Sequence, residues 1–112
     1  MPYLKVEILL PHYYNIDSST GKRKKIEGEK YSKTFEEIVD RFGGCTVDNS
    51  PLIGGWADPN TKNRISDENS TYWVVCKKTK KNIEFFHKLK KKLTTRFEQK
   101  DVMMYYVTIN KF

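Results

Sequence analysis

The chain opens on a strict alternation. Leu4, Val6, Ile8 and Leu10 are apolar, and Tyr3, Lys5, Glu7 and Leu9 stand between them. A period of two is a strand, here with its first set turned to a core and a mixed second set on the other side. Pro11 closes the strand because it has no ladder donor. The period changes at Tyr31. Tyr31, Phe35, Ile38, Val39 and Phe42 follow helical spacing and form one apolar stripe, predicting a helix over Tyr31–Phe42. Ser32 or Thr34 is its expected N-cap, and Thr34 with Glu37 has capping-box spacing. Glu36 and Glu37 suit the positive end of the helix dipole. Gly43 stands where a helix needs a left-handed residue after its last turn.

A second strand begins at Cys45-Thr46-Val47. Pro51 and Gly54-Gly55 interrupt it, predicting an irregular or bulged edge strand that ends at Trp56-Ala57. Asp58-Pro59-Asn60-Thr61-Lys62 is a turn sequence, and Arg64–Cys76 returns as a third strand. An unbroken hairpin would set Cys45 opposite Cys76. The Pro and Gly interruptions shift that register, so no cross-strand disulfide is expected. A second helix, capped by Thr79 or Asn82, runs to about Phe97 with Ile83, Phe86, Leu89, Leu93 and Phe97 as its apolar stripe. Lys81, Glu84, Lys88, Lys91, Lys92 and Thr95 take its opposite side. Asp101–Phe112 alternates again and reads as the last strand. Between the first strand and first helix, His12–Lys30 has no period. Asp17-Ser18-Ser19-Thr20-Gly21 is turn chemistry and Lys22-Arg23-Lys24-Lys25 is a basic run, together a mobile loop.

The resulting order is β-α-β-β-α-β in one domain, residues 1–112. With right-handed crossovers it gives an α+β, ferredoxin-like fold: a four-stranded antiparallel sheet with two helices on one face. The other face is left semi-apolar, including Tyr3, Leu9 and part of Asp101–Ile109. An open apolar sheet face invites a partner, and a two-fold homodimer is the commonest closed solution.

Charge and cysteine content change this picture little. The 112 residues carry 21 Lys and Arg against 14 Asp and Glu, a net charge of +7, which favours polyanions without requiring one. Two cysteines, Cys45 and Cys76, make no disulfide framework, and neither a C-x-x-C pair nor a His/Cys cluster offers a metal site. No cofactor motif is present. No signal peptide or membrane span is legible, so a cytoplasmic setting without a membrane partner is expected.

Ile8-Leu9-Leu10-Pro11, Phe42-Gly43-Gly44-Cys45-Thr46, Gly54-Gly55-Trp56, Asp67-Glu68 and Phe97-Glu98-Gln99 occur in that order. As an ordered set, spanning most of the chain, they resemble a group of small uncharacterised bacterial, archaeal and mobile-element proteins. The resemblance implies a ferredoxin-like fold and brings no assigned activity. Lys100 departs from it, since the pattern usually has Glu there.

Several residues are candidates for chemistry. Gly43-Gly44 follows a helix C-terminus, the wrong end of the dipole for phosphate, and reads as a cap. Gly54-Gly55-Trp56 reads as a bulge pinned by Trp56, or as a ligand platform. Asp67 and Glu68 are adjacent on a strand and point to opposite faces, so they do not chelate together, even with Asp58 nearby. His87 reads as a partly buried structural histidine. His12, at a strand end, is the best acid–base candidate. Third-strand Ser70-Thr71-Tyr72-Trp73-Val74-Val75 lacks the glycines of an RNA-recognition strand.

Three functions follow. The leading one is a non-enzymatic, dimeric module binding a partner or ligand near Trp56. The second is nucleic-acid binding through Lys22, Arg23, Lys24 and Lys25 and through Lys81, Lys88, Lys91 and Lys92 of the second helix. The third is a small enzyme with a pocket of Trp56, Asp67, Tyr72 and Gln99, joined by His12.

Overall fold

Leu4, Val6, Ile8 and Leu10 are all buried, and their alternation runs the length of β1 (Tyr3–Pro11). A computed structural model describes residues 2–57 and 64–112, apart from the side chains at 51, 56, 57 and 64–66. The elements after β1 are α1 (Gly28–Phe42), β2 (Thr46–Ala57), β3 (Arg64–Lys77), α2 (Lys80–Arg96) and β4 (Met104–Ile109). The fold is α+β, two helices with an antiparallel sheet. Its named strands lie in the order β2-β3-β1-β4, and an isolated bridge between Tyr13 and Lys25 adds a further short antiparallel pairing.

The register assigns the faces. Leu4, Val6, Ile8 and Leu10 stand opposite Cys76, Val74, Tyr72 and Ser70 of β3. All of these are buried, and the apolar ones join Ile38 of α1 and Phe86, Leu89 and Leu93 of α2 in one cluster. Both helices therefore cover the same face. A fully buried Leu or Ile contributes about 1.5–3 kcal/mol, so this layer supplies much of the driving force.

α2 begins and packs as its sequence predicts. The Thr79 side chain caps it by accepting from the Asn82 backbone at 3.1 Å. It closes in a Schellman arrangement. Gln99 N–H reaches Thr94 O at 3.0 Å and Glu98 N–H reaches Thr95 O at 3.2 Å, with Glu98 at φ 52. α1 closes on Gly43 at φ 80, again as expected. Its start differs. The helix begins at Gly28, a turn before Tyr31, and Glu27 at its N-cap makes no side-chain capping bond. Thr34 is no cap but a buried interior residue, its hydroxyl donating to Lys30 O at 2.8 Å. Glu37 pairs with Arg96 of α2 rather than closing a capping box.

The bulge of β2 lies between Asp48 and Leu52, around Pro51. Gly54 and Gly55 are in regular register with Asp67 and Ser66, so the glycine pair is not the irregularity. The outer hairpin keeps the register that would oppose Cys45 and Cys76. The bulge then slides the inner half by two residues, and both cysteines are free thiols. The last strand is shorter than Asp101–Phe112: Val102 packs into the core before pairing begins at Met104. Of the acidic hairpin residues, Asp58 lies outside the described residues. Among the described residues, no helix is long and apolar enough to cross a membrane.

Candidate functional site

The connection between β1 and α1 is a ribbon joined by backbone hydrogen bonds. Tyr14 N–H donates to Lys24 O and Ile26 N–H to His12 O, both at 2.9 Å. Asp17 turns it. Its carboxylate accepts from Ser19 N–H at 2.8 Å and Ser19 Oγ at 2.6 Å, which lowers its pKa, and Gly21 at φ 69 completes the turn.

This ribbon ties together the far end of the sheet. Arg23 bonds Asp67 of β3 at 2.8 Å. Asn15 Nδ2 donates to Glu98 O at 3.3 Å, beyond α2. Tyr14 Oη donates to Glu27, which Lys24 also meets at 3.0 Å; Lys30 reaches Glu27 at 3.8 Å and Glu98 at 3.5 Å. The Tyr14 hydroxyl is the largest influence holding the Glu27 carboxyl at about 2. These groups line an open hollow of about 760 Å³ that carries four cations (Lys22, Arg23, Lys24 and Lys30) and four carboxylates (Asp17, Glu27, Glu29 and Glu98). Its charge balances. The basic run Lys22–Lys25 is thus partly spent on neighbouring carboxylates and does not form a uniform phosphate-binding surface.

Next to this ribbon is a hydrogen-bonded chain whose members are far apart in sequence. His12 Nε2 lies 2.7 Å from Ser70 Oγ, and His12 Nδ1 lies 3.5 Å from Glu68. Ser70 Oγ also reaches Asn49 Oδ1 at 3.4 Å. The order Ser–His–carboxylate is that of a nucleophilic triad. The surroundings argue for a structural tie. Ser70 is 4% exposed, so its oxygen is closed to a substrate. The acid contact is long for a hydrogen bond, and Glu68 is half-exposed. The chain fastens the end of β1 to β3, where His12 N–H also bonds Glu68 O at 3.0 Å.

The other sequence candidates separate. Tyr72 is in the core opposite Ile8, its hydroxyl pushed up by burial. Gln99 folds back onto Phe97 O at 2.8 Å. Asp67 is engaged by Arg23. The Trp56 side chain lies outside the described residues. His87 is exposed rather than partly buried. Among the described residues, no group of three or more His, Cys, Asp or Glu could hold a metal. On α2, Lys81, Lys88 and Lys91 are exposed and have no carboxylate within salt-bridge reach among the described residues, while Lys92 lies 3.9 Å from Glu37.

The face opposite the helices is uncovered. Tyr3, Lys5, Glu7 and Leu9 of β1 stand there beside Val75, Trp73 and Thr71 of β3 and Ile109, Val107 and Tyr105 of β4. Tyr105 is 44% exposed and Val107 46%. Lys5 sits 4.7 Å above the Trp73 ring and 3.6 Å from Glu7, so the central charges cancel within the face. The alternation of β1 alone defines this face, since every second residue of the strand turns away from the core. The ribbon tie and the His12–Ser70 bond had no such signal, since their partners meet only through the sheet register. No protein-family model, no curated protein and no solved structure matches this chain.

Proposed function

We propose that the chain is a non-enzymatic binding module of ferredoxin-like fold that pairs with a second copy through its open sheet face. The element order and the strand order β2-β3-β1-β4 support the fold name. The observation carrying the function is the uncovered row of Tyr3, Trp73, Val75, Tyr105 and Val107. A two-fold interface must be self-complementary. Lys5 and Glu7, two residues apart on the same face of β1, provide that: an antiparallel copy sets each Lys5 toward the partner's Glu7. The exposed cations Lys81, Lys88 and Lys91 are on α2, away from this face, so they do not oppose the pairing locally.

Light scattering after size exclusion tests the reading. Twice the chain mass of 13.3 kDa is expected at high protein concentration. Val107→Glu should give the monomer, and the paired swap Lys5→Glu with Glu7→Lys should keep the dimer. A wild-type monomer at the highest attainable concentration overturns the proposal.

Nucleic-acid binding is supported by one observation, the exposed Lys81, Lys88 and Lys91 without carboxylate partners among the described residues. On that reading affinity for a generic duplex falls steeply with salt. No band shift at low salt removes it.

A further inference from the structure

On the helix side of the sheet, between α2 and β4, lies a cleft of about 350 Å³ that the function above does not use. Its base is Leu4, Val6 and Phe86, all buried. Ile83 and Met104, partly buried, form its sides. His87 and Lys90 of α2 and Tyr105 and Tyr106 of β4 complete its lining. His87 and Lys90 also border an adjoining shallow shelf with Lys91, Thr94 and Thr95. An apolar trough thus opens directly onto a cationic shelf. Among the described residues, no carboxylate lines either hollow. Asp101 reaches Lys90 from outside, at 3.1 Å between exposed side chains, and an ammonium has three donors, so Lys90 keeps donors for a ligand.

We infer that this trough and shelf form a binding site for a small amphiphile, an apolar chain ending in one anionic head group. The volume lies in the range of small-molecule sites, and an apolar wall with a few convergent polar groups is their usual make-up. The chain occupies the trough over Phe86 and Ile83. The head, a carboxylate or a phosphate, meets Lys90 and Lys91 with the His87 ring and the Thr95 hydroxyl beside them. A neutral amphiphile would leave those donors unanswered; a longer polyanion would find no apolar requirement met. The site does not rest on pairing of the open face. Tyr105, at the sheet edge, is the residue that borders both.

Titration of the ¹⁵N-labelled chain with decanoate, decyl phosphate and decanol tests this by NMR. Saturable shifts confined to residues around Leu4, Ile83, Phe86 and Tyr106 are expected with the acids. Decanol should bind roughly fivefold more weakly, the fold-change expected for exposed charge contacts. Comparison of the two acids assigns the head group. Ile83→Trp, which fills the trough, should remove binding of all three. Lys90→Gln with Lys91→Gln should bring the acids down to the level of decanol and leave decanol unchanged. The dimer-breaking Val107→Glu should bind as the wild type does, which separates this site from the open face. No saturation, shifts spread over the open sheet face, or decanol binding as tightly as the acids overturns the inference.

Discussion

Arg96, on the last turn of α2, donates from Nη1 to the buried Thr34 hydroxyl of α1 at 2.8 Å, and its other terminal nitrogen meets Glu37 one turn further along. The guanidinium is a polar tie between the helices, beside the ring contacts of Tyr31 with Phe97 and of Phe42 with Phe85 and Phe86. Thr34 is fully buried, and it already spends its proton on Lys30 O. Removing the donor leaves a buried lone pair and strips Glu37 of its main partner, leaving Lys92 at 3.9 Å as its ion-pair partner among the described residues. Arg96→Met should cost about 2 kcal/mol. Arg96→Lys should recover less than half, because an ammonium does not reproduce the two-pronged geometry. Urea denaturation measures both. A loss under about 0.5 kcal/mol for Arg96→Met would mean that the Arg96 bonds add little to the packing of the helices.

Glu98 occupies the left-handed position of the α2 terminus at φ 52, where glycine is ordinary. An L side chain there costs roughly 1 kcal/mol. Its compensation is weak: an exposed contact to Lys30 at 3.5 Å. Glu98→Gly should therefore raise stability by about 0.5–1 kcal/mol, since the Asn15 bond goes to the backbone carbonyl and survives. Glu98→Val should lower it, because a branched Cβ suits this region worst. Both variants changing stability in the same direction would refute the strain argument.

The two thiols are predicted to differ in access and agree in chemistry. Burial pushes both above the ordinary value of 9.0, Cys45 while still partly exposed and Cys76 inside the core. Thiolate is the reactive form, so each should alkylate more slowly than a free cysteine at neutral pH. Mass spectrometry during iodoacetamide treatment should find Cys45 modified first and Cys76 only as the chain unfolds. Rapid modification of Cys76 in the native protein would contradict its place opposite Leu4.

How far pattern reached into this structure follows from what each feature depends on. The strand β1 and helix α2 were legible because burial alone sets their periods; Leu4 to Leu10 and Ile83 to Phe97 needed no partner to be read. The start of α1 was not, because Gly28-Glu29-Lys30 has no apolar residue and Glu27 makes no cap. Thr34 and Glu37 have capping-box spacing, yet both answer to Arg96, about sixty residues away. Pattern assigns the irregularity of β2 to Pro51 and to Gly54-Gly55 together; the register shift falls between Asp48 and Leu52, at Pro51, whose missing donor breaks a ladder, and the glycines stay in register. Among site candidates, His12 was singled out for its strand-end position. Its partner Ser70 could have been inferred only from the alternation through Tyr72 and Val74, which puts Ser70 on the core face. The cleft beside α2 could not be read at all, since it is a gap between elements.

The ribbon between β1 and α1 should make the protein sensitive to acid in one window. The Glu27 carboxyl is held at about 2 by the Tyr14 hydroxyl first and Lys24 further down, against an ordinary value of 4.5. A folded value below the unfolded one means that the unfolded chain takes up the proton more readily. The stabilisation is therefore complete above about pH 4.5 and is lost as pH falls toward about 2. Glu27→Gln should be insensitive to that window at this position. Tyr14→Phe, which removes the largest cause, should shallow the acid limb in the same way while leaving Glu27 ionisable. Urea midpoints followed from about pH 5 to about pH 2 compare the three proteins, and the wild type should lose the most across the window. Wild-type and Tyr14→Phe curves running parallel through it would show that the tyrosine does not hold this carboxylate.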